Sequence, residues 1–142
     1  MHQLPLYIDV FLSPMRDNPV AQVAVTAVLL LTVLDVLFGL VNALMSGTFS
    51  SAKMREGIKH KSASLGFVLV GIVADGTIVG GLDIGLDAPV LVTICVYICI
   101  MEILSLLETF VALNPELESS PLFKLLAVSG VVGDKKEAKN HG

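Results

Sequence analysis

The sequence predicts an all-α integral membrane protein with three transmembrane helices, N-terminus out and C-terminus in, flanked by short interfacial N- and C-terminal segments and assembling as an oligomer. Three observations carry this expectation. The 142 residues are 54% hydrophobic and only 15% charged, against about 25% charged in an ordinary globular domain. Three apolar stretches, Val20 to Met45, Ala63 to Gly81 and Pro89 to Leu113, recur along the chain. The basic residues are partitioned: if all three stretches cross, 8 of the 9 Lys and Arg fall on one side, which the positive-inside rule makes the cytoplasmic side.

Residues 1–19 read as a leader. Its apolar patch, Leu4 to Leu12, is too short to span, and Pro5 and Pro14 limit any helix there to about two turns lying in the interface plane. The first long segment then holds 26 residues, which at about 1.5 Å per residue reach roughly 39 Å, more than the roughly 30 Å hydrocarbon core. Only Gln22, Thr26, Thr32, Asp35 and Asn42 interrupt it. Asp35, Gly39, Asn42 and Ser46 are spaced by four, three and four residues and share one helical face. Gly39 with Ala43, and Ala43 with Gly47, form small-xxx-small pairs suited to close helix packing, within one protomer or between protomers.

Between the first two segments lies a basic loop with Lys53, Arg55, Lys59 and Lys61 against one acid, Glu56. It fixes topology and can hold the inner ends at an anionic leaflet, at roughly 1 kcal/mol per basic residue. The second segment is short and glycine-rich, with Gly76 and Gly80 in a GxxxG pair. Asp75 lies near its far end and is expected to be solvated. The connection Leu82 to Asp87 carries two acids and no base, as an outer loop should. In the third segment Cys95, Glu102 and Thr109 repeat every seven residues beside Cys99 and Ser105, giving one polar side. Residues 114–142 form a cytoplasmic segment with a charged tail that supplies Lys124, Lys135, Lys136 and Lys139.

The buried acids set the chemistry. Counted from the outer ends, Asp35 and Glu102 lie about 15 and 13 residues deep, so both sit roughly 20 Å in. With no Lys or Arg inside any of the three segments, neither carboxylate has an evident partner. Both are then kept protonated, or both face a hydrated lumen between protomers. Three short helices enclose little space, so a lumen requires self-assembly, and ring symmetry would repeat each acid around it. Asp35, Asn42, Glu102 and Ser105 are the candidate pore-lining or gating residues, with Glu108 nearer the interface. Gly39, Ala43, Gly76 and Gly80 are the candidate packing residues.

Other functions have little support. No nucleophile stands with a base, and the three histidines His2, His60 and His141 form no ligand cluster, so neither an enzyme nor a metal or other cofactor is expected. Cys95 and Cys99, four residues apart mid-helix, read as small buried hydrophobes. The basic loop has no interleaved aromatics, which argues against nucleic acid. The alternative from another class is a small ion- or proton-coupled channel or transporter subunit using Asp35 or Glu102 as its carrier site, although no inverted repeat supports it.

The ordered set Asp35, Gly39 and Leu40 in the first helix, Ser50, Ser51, Gly57 and Lys61 in the basic loop, and Glu102, Ser105, Leu107 and Glu108 in the last helix resembles the toxin-secretion and phage-lysis holins. The resemblance covers about Asp35 to Leu126. The Pro121, Leu122 pair falls where that family tends to have a proline, whereas Met101, Thr109 and the Leu113, Asn114 pair depart from its usual Asn, Asn and Leu-Gly. The resemblance implies a multi-pass protein of the bacterial cytoplasmic membrane, the host membrane if phage-encoded. It further implies self-association into a lesion and a functional link to an endolysin or exported toxin.

Overall fold

The protein was analysed as a computed structural model that describes residues 6–82, 90–121 and 123–124. Within them are four α-helices, α1 (Leu6–Asp17), α2 (Pro19–Met45), α3 (Ser51–Asp75) and α4 (Val90–Leu113), a π-helical segment (Gly76–Leu82) that continues α3, and a 3-10 turn (Pro115–Ser119). Three helices are long and apolar enough to cross a membrane: Pro19–Met45, Met54–Val79 and Val90–Leu113. Among the described residues there is no strand. The expected charged tail and most of the acidic connection lie outside the described residues.

The helix ends follow local chemistry. Asn18 begins α2, its side chain accepting from the backbone N–H of Val20 and Ala21, with Pro19 in the first helical position where a missing N–H costs nothing. At the other end Gly47 takes φ 66°, and the Gly47 and Thr48 N–H groups return to the carbonyls of Leu44 and Ala43. This is a Schellman closure, in which a left-handed residue is needed and glycine supplies it without a side-chain clash. Gly47 therefore stands outside the helix and does not extend the small-residue face of Gly39 and Ala43.

Two expectations about the flanks are corrected. The N-terminal helix runs 12 residues, longer than two turns, and Pro14 lies inside it. Proline cannot bond the Val10 carbonyl four residues back, and the Ser13 hydroxyl donates to that carbonyl instead at 2.8 Å. The basic stretch is helix, not loop: α3 starts at Ser51, and the loop proper is only residues 46–50. Ala52, Lys53, Met54, Arg55 and Glu56 are good helix formers, and Gly57 alone does not stop them.

Helix α4 stands in the middle, packed on α2 and α3, which barely touch one another. Its buried stripe, Leu91, Cys95, Ile98, Glu102 and Leu106, recurs at helical spacing. The core, Ala21, Val28, Val68, Leu91, Cys95 and Ile98, lies in the half of the bundle nearest α1. Outward faces are apolar, including Leu30, Leu37, Phe67 and Val70, as a lipid-facing surface requires.

Close backbone approach occurs at Gly71, where a Cβ would stand 3.0 Å from the Leu91 Cα and 3.2 Å from Leu91 Cδ1, whereas Gly66 faces open space. Gly71→Leu is therefore expected to separate α3 from α4 and destabilise the purified protein by about 1 to 3 kcal/mol, and Gly66→Ala to change it by less than about 0.5 kcal/mol. Denaturant unfolding in detergent micelles, followed by circular dichroism, checks both.

Candidate functional site

The pattern on each helix brings three charged side chains to one place. Asp35 continues the buried stripe Ala21, Val28, Thr32 of α2, and Glu102 lies on that of α4. Lys61, two and a half turns into α3, joins them: its Nζ stands 2.8 Å from Asp35 Oδ2 and also pairs with Glu102 Oε2. Glu102 is 3% exposed and Asp35 8%. All three lie mid-helix, more than two turns from either helix end.

This corrects the expectation that neither acid has an intramembrane partner. In the sequence the basic stretch ends where the apolar one begins, which places Lys61 in a surface loop. A continuous α3 carries it into the bundle instead, and its long apolar stem lets the ammonium travel farther than its Cα. Two acids and four basic residues near a span boundary were visible, but the helix continuity that joins them was not.

The cluster is unbalanced. Two carboxylates share one ammonium, and Asp35 Oδ1 and Thr32 Oγ1 are buried with no hydrogen-bond partner. Buried polar atoms are rarely left so. Isolated at mid-bilayer, each charged residue costs about 2.5 to 3.5 kcal/mol on insertion scales; pairing offsets part of that.

The other expected residues are distributed around this centre. Gly39, Asn42 and Ala43 follow Asp35 along α2 and are half-buried, as is Ser105 one turn beyond Glu102; Glu108 is exposed. A groove of about 320 Å³ runs between α2 and α3 from Asp35 and Lys61 to the 46–50 loop, lined by Gly39, Ala43 and Gly57 among others. Between α2 and α4, Phe38 meets Phe110 edge to face at 4.9 Å. Arg55 and Lys59 are exposed on the first turns of α3. Among the described residues no group of His, Cys, Asp and Glu is placed to hold a metal ion.

At the α1 end, Asp75 is not solvated as expected but 6% exposed. Its two carboxylate oxygens accept from the N–H groups of Val90 and Leu91 at 3.0 and 3.1 Å, satisfying donors that the start of α4 would otherwise leave open. Gly76 receives α1: a Cβ there would stand 2.6 Å from the Phe11 Cα. The surroundings of Gly80 lie outside the described residues. On α1, Arg16 pairs with Asp9 and Asp17; its hydrogen bond holds the Asp17 carboxyl below the ordinary range, and the same carboxylates raise the guanidinium above its own.

The model of the bacteriophage holin family matches residues 20–119, all three spans and the ion cluster included. The chain belongs to that family. No curated protein and no solved structure matches it. As a holin-family chain with three apolar helices it is a multi-pass membrane protein, and the family is not one of enzymes. The matched region begins at Val20, so α1 precedes the matched residues.

If Lys61 holds the bundle of this holin-family protein together, Lys61→Met leaves two buried carboxylates unpaired and destabilises it by about 3 to 5 kcal/mol. Adding Asp35→Asn and Glu102→Gln to Lys61→Met removes the stranded charges and is expected to recover most of that loss. Unfolding of the three proteins in the same detergent measures both steps; a Lys61→Met protein as stable as the parent would refute the role of the cluster.

Proposed function

We infer that this chain acts as a holin: it accumulates in the bacterial cytoplasmic membrane, self-associates, and opens a lesion through which an endolysin or an exported toxin reaches the cell exterior. Family membership supports the activity, and the observation that carries the mechanism is the Asp35, Lys61, Glu102 cluster closed inside a protomer whose outer faces are apolar. In this state the protein shows lipid a hydrocarbon surface and keeps its charges to itself. The same charges in a hydrated lumen would recover their solvation.

Opening therefore consists of turning the helix faces that bear Asp35, Asn42, Glu102 and Ser105 from the protomer interior toward water between protomers. The small residues Gly39 and Ala43, which line the groove, with nothing within 4 Å of a Cβ at Gly39, give neighbouring protomers a place to approach. Orientation follows the positive-inside rule: Arg55, Lys59 and the 46–50 loop lie in the cytoplasm, α1 and the Asp75 end outside. Glu108 and the basic first turns of α3 then sit at the inner surface.

Inducible expression in bacteria, with membrane potential and release of a cytoplasmic marker protein followed together, tests this reading. The expected result is a delay, then abrupt depolarisation with macromolecular release. Ion leak without protein release would favour an ion- or proton-coupled channel subunit built on the same acids. In the triple variant Lys61→Met, Asp35→Asn, Glu102→Gln, which removes the buried charges that would line a lumen, release is expected to fall at least tenfold at equal membrane abundance. Cysteines at positions 42 and 105, which leave both acids in place, should become accessible to a membrane-impermeant thiol reagent only after triggering; protection at both would sink the lumen.

A further inference from the structure

The groove between α2 and α3 has a composition that self-association does not explain. Its walls are hydrocarbon, from Val36, Leu40, Phe49, Met54 and Ile58, and the glycines at positions 39 and 57 leave it unfilled. One end is formed by Asp35 and Lys61. There Asp35 gives one oxygen to Lys61 and keeps the other, Oδ1, buried without a partner, in a cluster that holds two carboxylates for one ammonium. An apolar slot with Asp35 at its end, a carboxylate whose second oxygen is buried without a partner, is complementary to an apolar body with a single positive charge.

We propose that this groove is a binding site for a compact apolar amine. Its ammonium ion donates to Asp35 Oδ1 after a small turn of the carboxylate, and its hydrocarbon body fills the space beside Gly39 and Gly57. With the amine bound, two carboxylates face two ammonium ions and the cluster is electrically neutral, with Asp35 bridging Lys61 and the ligand. Water alone would satisfy the hydrogen bond but not the charge, and a lipid chain would fill the walls but not the charge. The site does not depend on the lesion-forming activity, because it belongs to the closed protomer.

Equilibrium dialysis of the purified full-length protein in lipid nanodiscs, with 1-adamantylamine as the probe and 1-adamantanol as its uncharged counterpart, tests the site. Saturable binding of the amine at one per chain is expected, about tenfold or more tighter than the alcohol, the range of a hydrogen bond to a charged partner. Asp35→Asn should abolish the preference for the amine. Glu102→Gln, which touches no groove wall but removes the excess charge, should weaken amine binding while leaving the alcohol unchanged. Gly39→Leu should exclude both, with all charges kept, so loss of binding is not read from a charge variant alone. Equal affinity for amine and alcohol would mark a slot for hydrocarbon only and overturn the proposal. So would amine binding that disappears as protein per nanodisc rises, which would mean that a second copy covers the groove. Uptake that stays linear with concentration, or is unchanged by Gly39→Leu, would mean partitioning into lipid and would overturn it as well.

Discussion

Lys61 is the point on which the three spans depend. α2 and α3 scarcely touch directly, and one of the links between them is the 2.8 Å ion pair from Lys61 to Asp35, with Glu102 of the intervening α4 closing the cluster. In water such a pair contributes little, because solvent screens it and competes for both partners. Between apolar helices the balance changes. Separating the charges without giving them water leaves each desolvated and alone, so the closed arrangement persists until water is supplied.

The bundle is packed unevenly about that point. On the α1 side lie the buried core residues, the tight Gly71 contact with Leu91, the Asp75 cap on α4, and α1 itself seated on Gly76. On the 46–50 loop side, α2 and α4 still meet through Phe38 and Phe110, but α3 stands away from α2 and leaves a groove. The charges therefore mark the boundary between a closed half and an open half. Helix packing in lipid rests on close van der Waals contact rather than on expulsion of water, so the half without such contact is the less tightly held. Separation beginning at the loop side would bring water to Lys61 and Asp35 before it reached the core.

Much of this was legible in the chain. Length and apolarity marked the spans of α2 and α4 to within a residue or two, and the seven-residue recurrence of Cys95 and Glu102 marked the inward stripe of α4. What could not be read was joint geometry. Residues 51–62 are polar enough to pass for a loop, and nothing local says that α3 begins twelve residues before its apolar part, which is what makes Lys61 a partner for both acids. Asp75 was equally opaque: an acid near a span end is cheap to solvate, and its use as a cap for α4 depends on a helix that starts fifteen residues later. The sequence also shows Gly76 and Gly80 as a four-residue pair, whereas the π-helical turn that begins at Gly76 has a wider register, and Gly76 serves the contact with Phe11.

The proposed holin activity, harmless in a membrane until it opens it, needs two states of similar free energy. An entirely apolar bundle would have no reason to admit water, and a fully neutralised ion cluster would have little. This chain stands between those limits. Its one ammonium shared by two carboxylates is enough to let the helices close, and the remaining charge, with the unpartnered oxygens of Asp35 and Thr32, is a standing cost of the closed state that hydration removes. Because every copy carries the same imbalance, the cost grows in proportion to the number of protomers gathered, whereas the benefit of a lumen comes only when enough of them meet to enclose water. On the proposed holin reading, opening would then be cooperative in protomer number.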